Sequence, residues 1–390
     1  MKRMIALFLL ICCFFSAGAY AEQQPNITIS SPSAILIEAE SGQVLFEQNS
    51  HDRRPPASVT KIMTMLLVME AIDRGQIAME DMVTCSDYAA SMGGSQVYLE
   101  PGEQMSVHDM LKAVAVASGN DAAVALGEHI AGSSEAFVDM MNKRAGELGM
   151  NDTNFVNCNG LDHEAHRTSA HDIALMSREL TSHSAIFDFT SIWMDSLRDG
   201  AFGLVNTNKL IRFYEGANGL KTGSTGAAKY CLSASACRDG MTLIAVVMGA
   251  ESSKERFNDA SRLLDFGFAN YTIADSLLSD EELESVTIQK GVKQQIKPAP
   301  SEAFHLLVNK ARIQEIEKKI TLTKQVPAPI RAGDKLGEVE FAIDGQIIGT
   351  ADLVATEDCP RLGPLSMLGV LAKQLLFGNP QAVVPKPIGV

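Results

Sequence analysis

Pro55-Pro56-Ala57-Ser58-Val59-Thr60-Lys61-Ile62-Met63 runs on into Thr64–Ile72, and the reading of this stretch decides the reading of the chain. From Ile62 to Met69 it is almost wholly apolar. A helix that is hydrophobic all round is a buried one, so the segment predicts the central helix of a large core. Ser58 and Lys61 stand at its mouth, three residues apart, a spacing that brings hydroxyl and amine to one helix face. The N-terminal end of a helix supplies free N–H groups and a partial positive charge, which favour an alkoxide or oxyanion. A lysine drawn partly out of water loses basicity, and a neutral lysine accepts a serine proton. The pair therefore reads as a nucleophile with its base. The plainer reading is an N-cap with a surface lysine, because four residues recur by chance. Companions elsewhere in the chain decide between the two.

The whole sequence sets bounds. Its 390 residues, 46% hydrophobic and 21% charged, suit a globular protein of two or three domains. Net charge is −14 with no basic run, which argues against a nucleic-acid partner. Lys2-Arg3, the apolar run Met4–Phe15 and the small-residue site Ala19-Tyr20-Ala21 read as a secretory signal over residues 1–21. The apolar run is too short to span a bilayer. Removing it takes away two cations and no acid, leaving −16. Cys85, Cys158, Cys231, Cys237 and Cys359 remain, an odd number at irregular spacing with no C-x-x-C pair. They read mostly as small buried hydrophobes, and no metal or other cofactor is expected.

Taken in order, Ala34–Glu40 and Val44–Gln48 flank Ser41-Gly42-Gln43 as a β-hairpin ahead of the Ser58 helix. Ser106-x-x-Asp109 opens a helix through Val116, ending at Ser118-Gly119-Asn120. Helices follow over Asp121–Ile130, Ser134–Leu148 and Ala170–Leu180. Tyr230–Ala236 and Met241–Met248 form a hairpin across Arg238-Asp239-Gly240, and Lys254–Phe268 is an amphipathic helix. Strands, then helices, then strands predict an α+β unit whose sheet is completed by both ends of the domain, over residues 22–277. Residues 278–356 carry short alternating runs, with a tight hairpin at Asp344-Gly345, and read as a small all-β domain. In the tail, 357–390, Leu362–Phe377 is apolar around Lys373 and reads as an amphipathic helix lying on a membrane surface.

Two further triplets accompany Ser58 and Lys61. Ser118-Gly119-Asn120 lies in a helix-to-helix turn, where Gly119 permits an unusual backbone angle. Lys221-Thr222-Gly223 opens the stretch leading to the Tyr230 strand, where a glycine lets a substrate approach the backbone closely. Each alone is weak, but the three in this order favour chemistry over chance. Ser-x-x-Lys, Ser-x-Asn and Lys-Thr-Gly together form the signature of penicillin-recognising serine enzymes. The wider text, Pro56–Lys61, Ala117–Ala123 and Gly219–Gly223, resembles the serine-type D-alanyl-D-alanine carboxypeptidases, the low-molecular-mass penicillin-binding proteins, over about residues 30–270.

The resemblance implies a β-lactamase/transpeptidase-like catalytic domain, followed by a β-rich domain and a C-terminal amphipathic anchor. It implies a cell-wall substrate, the peptidoglycan stem peptide ending in D-Ala-D-Ala, acylation by β-lactam antibiotics, and location on the outer face of the cytoplasmic membrane or in the wall or periplasm. Ser58 would attack the carbonyl between the two D-alanines, Lys61 would take its proton, and Ser118 would relay a proton to the leaving amine. Asn120 would bind the peptide amide, Lys221 would hold the cluster's charge, and Thr222 would receive the terminal carboxylate. The backbone N–H groups of Ser58 and Ser224 would form the oxyanion hole. Arg256 reads equally as a second carboxylate anchor or as a surface arginine at a helix start. Many relatives carry a basic residue near Thr207 and a histidine where Ser224 stands, so carboxylate recognition and pH dependence are expected to differ here.

Other classes fit less well. A class A β-lactamase needs Glu-x-x-Leu-Asn, and the chain has no Leu-Asn pair. A Ser-His-Asp hydrolase would want Gly-x-Ser-x-Gly, which is absent. His163-Glu164-Ala165-His166 has the wrong spacing for a zinc peptidase. A non-catalytic wall-binding protein is the remaining alternative, and three whole motifs argue against it.

Overall fold

The computed structural model describes residues 27–274, 277–301, 306–364 and 368. The signal read at 1–21 lies outside the described residues, as does nearly all of the helix read at 362–377.

Five strands make one antiparallel sheet: β1 (Ser33–Glu38), β2 (Val44–Gln48), β3 (Ala217–Thr225), β4 (Lys229–Arg238) and β5 (Met241–Ala250), in the order β2-β1-β5-β4-β3. The expected hairpins are both present, and the sheet is indeed closed by strands from the two ends of the unit. Central strands buried on both faces need a continuous apolar run. In β1, Ile35 and Ile37 enter one core while Ala34 and Leu36 enter the other. In β5, Ile244, Val246 and Met248 divide from Leu243, Ala245 and Val247 in the same way. Strand β3 is an edge, so one side of its backbone is left unpaired by the sheet.

Four helices cover the first face: α1 (Lys61–Asp73), α2 (Asn120–Ala131), α3 (Ser134–Glu147) and α4 (Ala170–Ser182). The second face is covered by α5 (Ser253–Asn270) through Ala260, Leu263, Leu264 and Phe268. Serine caps start three of these helices: Ser133, Ser169 and Ser252 each accept an N–H from the third residue on. Helix α1 is buried from Lys61 through Met69, as its apolar run predicts. Each large apolar side chain there contributes about 1.5–3 kcal/mol of burial.

Beyond α5, Tyr271–Ala274 pairs with Leu306–Asn309, and the chain passes into a β-rich part. Its largest sheet joins Pro298–Pro300, Gln346–Ala355, Lys335–Ile343 and Glu317–Leu322 around Val339, Phe341 and Leu353. Asp344 (φ +53°) and Gly345 (φ +74°) form the two-residue turn between the long strands, and both take the left-handed backbone such hairpins require. Gln295–Ile296 and Gln325–Pro327 are short strands not expected from the sequence. Cys85, Cys158, Cys231 and Cys359 are buried thiols, whereas Cys237 is exposed. Among the described residues no helix is long and apolar enough to cross a membrane.

Candidate active site

The stretch that carries Ser58 departs from a plain helix start. Ala57–Thr60 is a 3₁₀ turn, and Lys61 is the first residue of α1. In a 3₁₀ turn residues three apart eclipse, which sets the Lys61 side chain over Ser58. The two polar atoms, Nζ and Oγ, are 3.0 Å apart. Lys61 is fully buried. Its other two partners, Asn120 Oδ1 at 2.5 Å and the Asn159 carbonyl at 2.7 Å, are acceptors only. A neutral amine has two N–H groups and one lone pair. With both N–H groups committed to Asn120 and Asn159, the lone pair faces Ser58. Burial lowers the Lys61 pKa to about 7, against opposing pulls from Cys158 and Asp121.

The second triplet is built on an irregular helix end. Val107–Lys112 is α-helical, Ala113–Ala117 is a single π turn, and Ser118 takes the left-handed backbone at φ +65°. This corrects the expectation for Gly119, whose φ is −53°. Space is tight at Gly119: a Cβ there would lie 3.0 Å from Asp121 Oδ1, and that carboxylate would have to give way. Ser118 and Asn120 are both buried. While Oδ1 of Asn120 serves Lys61, its Nδ2 donates to Gly93 O at 2.6 Å, and its backbone N–H donates to Ser95 O at 2.7 Å. The Asp121 carboxylate accepts the N–H groups of Val97 (3.0 Å) and Leu99 (3.1 Å). Gly93 and Ser95 are thereby tied to the start of α2.

Lys221-Thr222-Gly223 lies inside β3 and does not merely open the next strand. A Cβ on Gly223 would fall 2.9 Å from Pro56 O, Ser58 N and Val59 N, so the edge strand is laid directly on the Ser58 turn. Lys221 is buried, and its Nζ donates to Thr222 O at 3.0 Å. Its pKa falls well below the usual lysine range, first through burial and then through repulsion from Lys61 and Arg256. Thr222 Oγ1 donates to Thr207 Oγ1 at 2.7 Å, and Ser224 is exposed. Arg256 is neither a surface residue nor turned to a ligand. It is buried on the first turn of α5, donating to Gly223 O (2.9 Å) and Cys231 O (3.2 Å) beside the rings of Tyr230 and Phe257. It braces the carbonyl of the residue that touches the Ser58 turn.

Ser58, Lys61 and Asn120 are thus joined by hydrogen bonds, Gly223 abuts Ser58, and Lys221 lies within electrostatic reach of Lys61. Sequence reasoning missed Asp121, the Asn159 carbonyl and His166. The available signal was the Asn159-Gly160 turn: Gly160, at φ +87°, lies where a Cβ would overlap Ala57 O at 1.9 Å. Among the described residues no cluster of His, Cys, Asp and Glu could hold a metal ion.

A serine at the mouth of a buried helix, with a buried lysine against it and an edge strand alongside, is the layout of a serine acyl-transfer enzyme. Residues 19–252 match a family described as D-alanyl-D-alanine carboxypeptidase, and 275–361 match the C-terminal domain of penicillin-binding protein 5. The D-alanyl-D-alanine carboxypeptidase DacF of Bacillus subtilis (strain 168) is 44% identical over 378 residues, covering 94% of this chain and 97% of that one. Penicillin binding protein 5 from Haemophilus influenzae superposes with a TM-score of 0.70 at 32% identity, over 86% of this chain and 99% of its own. Penicillin-Binding Protein D2 from Listeria monocytogenes, in an ampicillin-bound form, gives 0.57 at 33% identity over 63% of this chain and 100% of its own. The chain belongs to the serine-type D-alanyl-D-alanine carboxypeptidase family, with the penicillin-binding-protein fold and its C-terminal all-β domain.

Proposed function

We propose that this carboxypeptidase removes the terminal D-alanine of peptidoglycan stem peptides through an acyl-enzyme on Ser58. The observation that carries the assignment is Lys61, fully buried, with its Nζ 3.0 Å from Ser58 Oγ and its other bonds made to acceptors. Ser58 Oγ attacks the carbonyl between the D-alanines as its proton passes to Lys61. The N–H groups of Ser58 and Ser224 receive the oxyanion, each such donor being worth about 3 kcal/mol. Ser118 delivers a proton to the departing amine, and water then cleaves the ester, releasing the shortened peptide and restoring the serine hydroxyl.

Arg256, buried and bonded to Gly223 O, remains a cation behind the edge strand and gives the site a local positive potential in a chain of net charge −14. That potential suits a substrate ending in a carboxylate, with Thr222 as its hydroxyl contact. The open side of β3 suits an extended peptide, which would add to the sheet as a further strand beside Asn120. The same cleft takes β-lactams as acylating analogues. We place the protein outside the cytoplasmic membrane, exported by residues 1–21. Its catalytic part is 22–277 and its β-rich part 278–356, with the tail, 357–390, on the membrane surface. Truncation at Pro360 should lower the membrane-pelleted fraction; an unchanged fraction removes the tail from the proposal.

The test of activity is a defined muropeptide ending in D-Ala-D-Ala, followed by mass analysis. Wild type should release one D-alanine per stem and Ser58→Ala none. Release by Ser58→Ala at the wild-type rate would end the proposal.

A further inference from the structure

We propose that His166 is a positioning residue for the nucleophile, acting through Thr60 to fix the turn that carries Ser58. The inference rests on Ser58 being the acylated residue. The turn needs holding: Ala57, immediately before Ser58, has φ +50°, a conformation that costs an L-residue about 1–3 kcal/mol. The Ala57 carbonyl accepts a hydrogen bond from Thr60 Oγ1 at 2.8 Å, and Thr60 Oγ1 lies 2.8 Å from His166 Nε2. On the other side of the ring, Nδ1 accepts the backbone N–H of Val156 at 2.9 Å.

These contacts fix every proton in the chain. An amide N–H only donates, so Nδ1 keeps its lone pair and a neutral imidazole carries its proton on Nε2. Nε2–H then donates to Thr60 Oγ1, and the Thr60 hydroxyl donates onward to Ala57 O. Burial, aided by His163 and Arg167, lowers the His166 pKa to about 4 and keeps the ring neutral. His166 is 2% exposed and packs beside Phe155.

The loop that ends at His166 grips the Ser58 turn and the first turn of α1 at four points. Cys158 O accepts from Thr64 Oγ1 (2.6 Å), Asn159 O accepts from Lys61 Nζ (2.7 Å), and Gly160 lies against Ala57 O. Those three act through the loop's backbone. His166 is the point where a loop side chain does the holding, on Thr60, one of the two residues between Ser58 and Lys61.

The experiment measures the second-order rate of acylation by a fluorescent penicillin, its pH profile and the melting temperature. The proteins are full-length wild type, H166L, H166Q, T60V and H166L/T60V. A nucleophile displaced by a fraction of an ångström should lose about 10- to 100-fold in rate, so H166L should fall into that range. Its pH midpoint, set by Lys61, should not move. A glutamine amide also accepts and donates, so H166Q should recover to within about threefold of wild type. T60V cuts the same link, so the double variant should be no slower than the slower single variant. An H166L rate within about twofold of wild type, H166Q as slow as H166L, or losses that multiply in the double variant would each overturn the inference. If H166L does not fold, near-isosteric T60V decides, and a T60V rate within about twofold of wild type overturns it. Wild type without a Ser58 adduct would overturn the functional reading and this inference together, whereas normal wild-type acylation beside an unimpaired H166L overturns this inference alone.

Discussion

Gly223→Ala tests how tightly β3 is laid against the nucleophile turn. The new Cβ would stand 2.9 Å from three backbone atoms, Pro56 O, Ser58 N and Val59 N, where ordinary contact begins at 3.4 Å. None belongs to a flexible side chain, so strand and turn must part by about 0.5 Å. Arg256, bonded to Gly223 O at 2.9 Å, resists the outward shift and concentrates the strain at the cleft. Two effects then add. A misplacement of about 1 Å can cost 10²-fold in rate, so half of that distance costs on the order of tenfold. Opening the gap also draws the Ser224 N–H away from that of Ser58, and part of one donor's ~3 kcal/mol is lost. Together the acylation rate should fall by about 10²-fold, against an overpacking cost of about 1–3 kcal/mol in stability. The assay is stopped-flow acylation by a fluorescent penicillin, normalised to folded protein. Gly226→Ala is the control, since a Cβ there meets nothing within 4 Å and the rate should be unchanged. A Gly223→Ala rate within about twofold of wild type would refute the argument.

Acylation should rise with pH and level off above about 7, because the proposed base is neutral Lys61 and burial sets its pKa at about 7; a flat profile from pH 5.5 to 8.5, about 1.5 units either side, would contradict this. His166, held at about 4, is neutral in both folded and unfolded chains above pH ~6.5. Below that, the unfolded chain gains a proton that the folded ring refuses, so stability should fall as pH drops towards 4, by about 3 kcal/mol in all. Urea midpoints at pH 7 and pH 4.5 should therefore separate less in His166→Gln than in wild type, and equal separations would refute the assignment. Asp121→Asn exchanges a carboxylate oxygen for a donor facing the Val97 and Leu99 N–H groups, so it should cost about 1–3 kcal/mol. Hydrogen exchange should quicken at Val97 and Leu99, and unchanged protection there would count against that role.

What the sequence disclosed follows from local rules. Helix α1 was readable because ten apolar or small residues in its thirteen need burial wherever the chain goes, and Ser106 was readable as a cap because its bond to the Asp109 N–H is short-range. The Asp344-Gly345 turn was readable because few residue pairs tolerate two successive positive φ angles. The left-handed residue of the second triplet was misplaced because propensity favours glycine, whereas Gly119 answers to the Asp121 side chain and Ser118 absorbs the strain. That Lys221 is fully buried was not legible, because burial of a lysine depends on distant partners, here the Ser58 turn and α5. His166 looked like a failed metal motif for the same reason: Thr60, which lies 106 residues earlier, is what gives the ring its role.

The most direct measurement is intact and peptide mass spectrometry after brief exposure to benzylpenicillin, on wild type and Ser58→Ala. Wild type should gain one penicilloyl group, mapped to the peptide containing Ser58 and stable beyond the quench, and Ser58→Ala should gain none. An adduct on any other residue, or wild type left unmodified, would contradict the assignment of Ser58 and Lys61 as nucleophile and base.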